Sequence, residues 1–469
     1  MPEKRLEKFL VFPEDSIKET MRKVDLNGFG IALITNHEKK LLGIVTDGDI
    51  RRAILKGTDI GEKVEGIMNR NPVYAFEGAS KRELLSLVRR HNVVEKIPIL
   101  GKNLTVKDIA IFSNIEEGNP LYISMEKKTA PLVRKVLVIG GAGYLGSVLV
   151  RKLLEKGFFV RVLDNLTFGN DGIKELFSNN RFEFFEGDIR KIDDVVRAII
   201  GMDAVVHLAA IVGDSASSIE PISTVETNYL ATKLIAETCK HHQVNRLVFA
   251  SSCSVYGANS YVADESTELN PVSLYARTKI KSEEGLLEMS DENFAPCILR
   301  MATLFGVSPR MRFDLVVNLL TAKALNEKEI TIFGGNQFRP LVHVEDAAQA
   351  YIDCLRAPIE KIRGQVFNVG ADSGNYRIID LGRKIKELVP EAKLVVEKKE
   401  EGDIRTYKVS FEKISKELGF AARKTVDNGV KEIRAAFEEE LFDDYSSEKY
   451  SVYSYLKKNV FGKRGASNE

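Results

Sequence analysis

Seven residues, Gly140-Gly141-Ala142-Gly143-Tyr144-Leu145-Gly146, follow directly on the apolar run Val136-Leu137-Val138-Ile139. After them Val148, Leu149, Val150, Leu153 and Leu154 recur at helical spacing. A buried strand, a glycine turn and a helix in immediate succession leave few options. The spacing G-x-x-G-x-x-G is that of a dinucleotide-binding strand-to-helix turn. Gly140 permits the tight turn, Gly143 lets the backbone approach a pyrophosphate, and Gly146 lets helix and strand pack closely. Tyr144 and Leu145 lie between them. The first amides of the helix, and its partial positive charge, suit a diphosphate.

The chain beyond this loop continues the pattern. Phe158, Val160 and Val162 alternate as a second strand that ends at Asp164-Asn165, with Asp164 lying 18 residues after Gly146. A carboxylate there accepts hydrogen bonds from the adenosine ribose and repels a 2′-phosphate, which favours NAD; Arg161 leaves NADP open. A third strand, 182–185, ends at Gly187-Asp188-Ile189, and Asp188 is placed to touch the adenine amino group, with Ile189 beside it. A fourth, 204–207, ends at Leu208-Ala209-Ala210, small residues against which a cofactor can lie. His207 reads as a packed strand-end residue. Residues 227–239 read as a helix, with Asn228 at its start as a cap or a polar support.

The reacting groups follow. A fifth strand, Leu247-Val248-Phe249, runs into Ala250-Ser251-Ser252-Cys253-Ser254, and Leu274-Tyr275-Ala276-Arg277-Thr278-Lys279 opens a helix. Tyr275 and Lys279 are four apart and share one helical face. In hydride transfer at a carbinol the hydroxyl proton must leave with the hydride. Tyrosine, with an ordinary pKa of about 10, is a poor base near neutrality. Lys279 and a positive nicotinamide would stabilise tyrosinate, and Ser252 would hydrogen-bond the reacting oxygen.

Composition removes other classes. The chain has 469 residues, so two or three domains are expected. A net charge of +1 implies no bulk attraction to nucleic acid or an anionic membrane. The four cysteines, Cys239, Cys253, Cys297 and Cys354, have no metal or redox spacing and read as reduced thiols of a cytoplasmic protein. No metal is expected. No run approaches the ~18 apolar residues of a membrane span, and MPEKRLEKFL lacks a signal peptide's apolar core.

A separate domain precedes the glycine loop. Residues 16–24 read as a helix, 30–36 as a strand, and Leu41 to Thr46 as a strand that turns through Asp47-Gly48 into a helix near Asp49. A weaker copy follows: 81–91 helical, 94–100 strand-like, and Leu104-Thr105-Val106-Lys107-Asp108-Ile109 echoing the strand-to-helix step. The repeated T-x-x-D, Thr46 with Asp49 and Thr105 with Asp108, suggests two halves packed together. Residues 114–128 lose periodicity and carry a Gly-Asn-Pro turn, the expected linker.

At Gly43-Ile44-Val45-Thr46-Asp47-Gly48-Asp49 this stretch resembles a tandem CBS-domain pair of the type attached to sugar-phosphate enzymes. The resemblance implies that Thr46, Asp49, Thr105 and Asp108 hold the ribose and phosphates of an adenine nucleotide. The shortened second half, GKNLTVKDI, puts the second pocket in question, and helix capping is the alternative role of both aspartates. Residues 134–440 resemble the extended short-chain dehydrogenase/reductases, and more narrowly their nucleotide-sugar epimerases and dehydratases. That implies a Rossmann-type doubly wound parallel sheet with a smaller substrate-binding subdomain (mainly 300–345 and 370–440), preceded by an α+β CBS-pair domain (1–125) and a linker (126–133). It also implies NAD as cofactor, a nucleotide-sugar substrate and a homodimer or higher homo-oligomer. The cofactor residues carried over are Gly140, Gly143 and Gly146, Asp164 and Asp188. Ser252, Tyr275 and Lys279 are carried over as catalytic residues.

On the substrate side, resemblance places Asn318 near the sugar-nucleotide phosphates and Arg339 on the diphosphate. It sets Asp403 against the nucleoside ribose, with Arg405 replacing the arginine that Glu400 displaces, and Arg312 joins this group. Dehydratases of the family carry an Asp-Glu pair where this chain has Cys253 and Ser254, so dehydration is disfavoured. A 4-epimerase, a 4-ketosugar reductase and a nucleotide-sensing protein without turnover remain open. Residues 441–469 extend beyond the usual family end, with interleaved Tyr and Val able to dock on the body or a partner, and a final eight residues expected to be disordered.

Overall fold

The architecture comes from a computed structural model that describes residues 6–79, 83, 84, 86, 87, 96–113, 121–124, 133–259, 261–397 and 406–461. The chain divides into two compact units, Met1–Pro131 and Leu132–Glu469.

In the first unit β1 (Leu10–Val11) pairs in parallel with β2 (Ile31–Thr35), which pairs antiparallel with β3 (Leu41–Thr46). Helix α1 (Ile17–Asn27) begins with a capping box: the Ser16 hydroxyl accepts from the Glu19 amide while the Glu19 carboxylate takes the Ser16 amide. Helix α2 (Asp47–Leu55) starts the same way, Thr46 capping and Asp49 reaching back. Val11, Ile17, Val24, Ala32, Ile34, Val45 and Ile50 form the core between these elements.

The second half departs from the expected repeat. A four-stranded sheet runs in the order β4 (Ala75–Phe76), β5 (Lys96–Leu100), β6 (Val106–Ser113), β7 (Leu121–Ser124). Asp108 lies within β6, where it pairs with Ile99, and its carboxylate accepts from the Ile109 amide. No helix starts there, so Thr105 and Asp108 do not repeat the Thr46–Asp49 step. Without a helix N-terminus the T-x-x-D spacing has no amides to cap. Most of the helix expected over 81–91 lies outside the described residues. The 114–128 stretch carries a strand, β7, which pairs antiparallel with β6.

The second unit is built on seven strands: β8 (Lys135–Ile139), β9 (Phe159–Asp164), β10 (Phe182–Glu186), β11 (Ala204–His207), β12 (Arg246–Ser252), β13 (Ala295–Met301) and β16 (Gln365–Val369). Their spatial order is β10-β9-β8-β11-β12-β13-β16, and every pair is parallel. Parallel strands covered on both faces need continuous apolar runs, and Val136 to Ile139 are all fully buried. The order reverses between β8 and β11, which opens a crevice beyond their carboxyl ends.

Helix α3 (Tyr144–Glu155) follows β8, α4 (Ala231–His241) precedes β12, and α5 (Leu274–Glu288) precedes β13. A smaller subdomain adds β14 (Thr303–Phe305), α6 (Val316–Asn326), β15 (Phe338–His343) and β17 (Asn375–Arg377), with β15 central between β14 and β17. Strand 329–333 pairs with 393–397 beside it. Its own core gathers Val317, Leu320, Ile330, Ile332, Leu381 and Ile385.

The glycine loop is as tight as its spacing implies. Gly140 has φ +84°, and a Cβ there would stand 2.7 Å from the Ala209 nitrogen at the end of β11. A Cβ on Gly146 would stand 2.2 Å from the Gly140 carbonyl oxygen. Backbone, not a movable side chain, fills that space. Gly146→Ala is therefore expected to lower stability by about 1–3 kcal/mol, as overpacking does, and to weaken dinucleotide binding. Urea denaturation and cofactor titration of the variant check both.

Candidate active site

The crevice at the switch point is a cavity of about 290 Å³. The glycine loop forms its floor, with Gly140, Gly143, Tyr144, Leu145 and Gly146 lining it. The carboxyl ends of the next strands supply Asp164 and Asn165, Asp188 and Ile189, and Leu208 to Ala210. Tyr275 and Lys279 enter from α5, and Arg312 from the loop before α6. Thus most of the residues singled out by sequence converge on one cleft.

Each is held by its local structure. Asp164 accepts from the Ala142 amide at 3.0 Å and the Leu166 amide at 2.9 Å. Burial pushes its carboxyl above the ordinary range against these two bonds. Arg161 points elsewhere: it pairs with Glu183 at 2.7 Å and donates to the Ala198 and Ile200 carbonyls. The doubt that Arg161 raised in favour of a 2′-phosphate is thereby removed. Asp188 is gripped by the Arg190 guanidinium at 2.6 Å. Burial pushes Asp188 up, but Arg190 outweighs it and holds the carboxyl below its usual range.

Ser252 ends β12 and its oxygen caps the following turn, accepting from the Ser254 amide at 3.2 Å. Ser273 caps α5 by accepting from the Ala276 amide, which sets the phase of Tyr275 and Lys279. Burial pushes the Tyr275 phenol up to about 12, against the lowering influence of the Ser252 hydroxyl. The Lys279 ammonium donates to the Ala250 carbonyl at 2.7 Å, and burial brings its pKa down to about 7, against the pull of Glu283.

Behind these groups lies a buried polar network. The Ser251 hydroxyl donates to Glu283, one turn beyond Lys279 on α5. Arg300 on β13 clasps Glu283 at 2.6 Å and donates to the Tyr256 hydroxyl at 2.9 Å. Tyr256 in turn donates to Asn368 at 2.7 Å.

Four expected residues occupy other positions. Asn228 does not start a helix. It sits in a π-helical turn, 226–230, fully buried, and its amide brackets the Ile211 backbone, accepting from its nitrogen and donating to its oxygen. It shapes the loop after β11 rather than facing the cleft. Asn318 is also fully buried: its oxygen accepts from the Gly306 amide, and its nitrogen donates to the Arg312 carbonyl and the Tyr144 hydroxyl. With those bonds made, it supports the wall and does not line the cavity. Ser252 follows the lining residues Ala250 and Ser251 in β12 and is not itself among the lining residues. Arg339 is buried on β15 over the Tyr407 ring at 5.5 Å, outside the cavity lining. Asp403 and Arg405 lie outside the described residues.

Other lining residues were not anticipated. Arg310 is 7% exposed, and its Nη2 has no hydrogen-bond partner. Its guanidinium stands 4.1 Å from the Phe168 ring centroid, and burial together with Arg312 brings its pKa down to about 10. A buried, unsatisfied cationic donor in a cleft calls for an anion. A dinucleotide diphosphate meets that need, as the close backbone approach at Gly140 meets its size, so the donor set fits NAD. The segment 452–461 also contributes to the wall. Nothing in its composition marks it as a site; only the spacing of its apolar residues hints that it docks.

The sequence profile of the NAD dependent epimerase/dehydratase family matches residues 136–370. The chain belongs to that family. A CBS domain profile matches residues 7–56. A UDP-glucose 4-epimerase of Bacillus subtilis is 26% identical over 318 residues, 62% of this chain and 93% of its own length. Among solved structures, the UDP-glucose 4-epimerase of Thermotoga maritima with UDP-glucose is 28% identical with a TM-score of 0.59, covering 66% of this chain and all of its own. The UDP-glucuronic acid 4-epimerase of Bacillus cereus, solved with UDP-glucuronic acid and NAD, is 26% identical with the same TM-score and coverage. The family member described here is an NAD-dependent enzyme of the nucleotide-sugar epimerase type. Among the described residues no cluster could hold a metal, and no helix is long and apolar enough to cross a membrane.

A pH dependence follows from Lys279. In the cofactor-free protein its pKa is about 7, against about 10.4 for an unfolded lysine. Between those values the unfolded chain carries a proton that the folded protein lacks, so stability rises with pH across the window. Wild type should gain up to about 1.4 kcal/mol per pH unit relative to Lys279→Met between pH 7 and 9. Paired urea titrations at the two pH values measure the difference.

Proposed function

We propose that this protein is a 4-epimerase of an NDP-hexose or NDP-hexuronic acid, working by transient oxidation at C4. The observation that carries the reading is the convergence of Tyr275 and Lys279 on the cleft built by the glycine loop, with Ser252 next in chain to its lining residue Ser251. When bound, NAD would take up the C4 hydride and return it. Tyr275 would accept the C4 hydroxyl proton and return it to the same oxygen once the 4-ketosugar has turned over and C4 has received its hydride on the opposite face. Its phenol is too weak an acid in the cofactor-free protein, so the base forms only once the cationic nicotinamide and Lys279 lie beside it. Ser252, at the end of the strand beside Tyr275, would hold the reacting oxygen. Arg312 would meet the substrate diphosphate.

Dehydration is not supported. Cys253 and Ser254 stand where an acid and a base would be needed. The Cys253 thiol donates to the Arg300 carbonyl and burial raises its pKa, so it stays protonated. Ser254 is a buried hydroxyl. Tyr275→Phe is expected to lower the epimerisation rate by about 10²–10⁴-fold with little change in cofactor content. Full activity in that variant would defeat the mechanism. Denatured wild-type protein should release close to one NAD per chain, because an epimerase regenerates its cofactor internally. An empty cleft would point instead to a ketosugar reductase.

For the N-terminal unit the proposal is an adenine nucleotide held by Thr46 and Asp49. Both side chains serve the α2 capping box, and Asp49 also pairs with Arg52 at 2.5 Å. Asp49→Ala should abolish calorimetric heat with AMP, ADP or ATP while removing a cap worth about 1 kcal/mol. Equal binding by wild type and variant would show that capping is the pair's whole role.

A further inference from the structure

One wall of the cleft comes from a segment beyond the usual end of the family. Helix α7 (Val452–Tyr455) and the π-helical turn after it, Leu456–Phe461, place Val452, Leu456, Val460 and Phe461 along the cavity. Val452 and Leu456 are 3% and 4% exposed and pack on Ala216, with Phe168, Ile211, Val212 and Ile219 around them. These partners come from two different strand ends: Phe168 follows β9, and residues 211–219 follow β11. The segment therefore joins the two loops that form opposite sides of the crevice.

It is firmly anchored. The Val452 amide donates to Asp314 at 2.9 Å, and the Phe313 amide donates to the Tyr450 carbonyl at 3.0 Å. Asp314 also receives two bonds from Arg312, at 2.8 and 3.1 Å. One carboxylate thus orients a cleft arginine and ties down the start of the segment. The Phe313 ring is surrounded by Phe437, Phe442, Tyr445 and Tyr450, with centroids 5.2–5.9 Å away. Tyr455 meets Phe168 at 5.1 Å, and Phe168 carries Arg310 against it.

We propose that Val452–Phe461 is part of the cofactor site itself, a strap whose apolar face closes the dinucleotide cleft and retains NAD between turnovers. The inference rests on the reading of this cleft as an NAD site. For a bound dinucleotide to leave, the loops after β9 and β11 must part, and the strap opposes this because its buried side chains would have to enter water. Such a constraint acts mainly on the rate of dissociation. It suits a reaction in which cofactor never needs to exchange.

Two full-length variants test the strap. Leu456→Asp puts a carboxylate into the apolar contact, and Phe461→Ala trims the cavity wall at the far end. NAD dissociation is followed by dilution into an enzymatic trap for free NAD, with circular dichroism confirming the fold. At least tenfold faster NAD loss is expected for Leu456→Asp, with a smaller acceleration for Phe461→Ala. If Leu456→Asp fails to fold, Phe461→Ala decides alone, with a twofold or greater acceleration as the supporting result. Dissociation unchanged in the folded variants overturns the proposal, as does slower dissociation. Wild type that neither carries nor binds NAD overturns the cofactor reading and the strap together, whereas wild type that binds NAD and variants that lose it no faster overturn the strap alone.

Discussion

The Glu283–Arg300 ion pair ties together the elements that carry Ser252, Tyr275 and Lys279. Both partners are buried, with 3% and 6% of their side chains exposed. Arg300 belongs to β13 and Glu283 to α5, so the pair locks the helix that carries Tyr275 and Lys279 to the sheet that carries Ser252. Ser251 donates to the same carboxylate, which fixes the end of β12 as well. Removing one partner of such a pair leaves a buried charge uncompensated, at a penalty of about 3–5 kcal/mol. The extra bonds through Tyr256 and Asn368 satisfy the remaining donor capacity and extend the grip to β16. Three strands and one helix thereby share a single polar joint beside Tyr275 and Lys279.

On that base the cleft divides its electrostatics. Near the glycine loop it presents amides, a buried carboxylate at Asp164 and the unsatisfied guanidinium of Arg310. Near α5 it presents a phenol and an amine whose burial disfavours both charged forms. In the proposed mechanism a cationic cofactor and a substrate alcohol would complete this half, and the pair would act as a proton relay only with the reactants present. Nearby, His207 is buried against Thr232 at 3.0 Å, and burial lowers its pKa to about 3, so it stays neutral and serves packing.

The fold of the second unit was legible because its signals are local. A glycine loop between an apolar run and a helix, and strands ending in Asp164, Asp188 and Ser252, are each readable within a few residues. The three side chains proposed for catalysis, Ser252, Tyr275 and Lys279, could be singled out for the same reason. What escaped were properties set by distant packing. Asn318 and Asn228 carry the right chemistry for a ligand, but their partners, Gly306, Tyr144 and Ile211, use all of it. Arg310 looks like any surface arginine until burial against Phe168 is known. In the first unit a T-x-x-D spacing marks a helix start at Thr46 and leads into a strand after Thr105, since the spacing alone does not choose between a helix cap and a strand.

The position of 452–461 in the chain has a consequence for how the molecule is made. The walls of the cleft, from Gly140 to Arg312, leave the ribosome before this segment, which belongs to the same compact unit. Throughout that interval the crevice lacks one side. The wall that the apolar residues of 452–461 supply is therefore the last part of the cleft to be made.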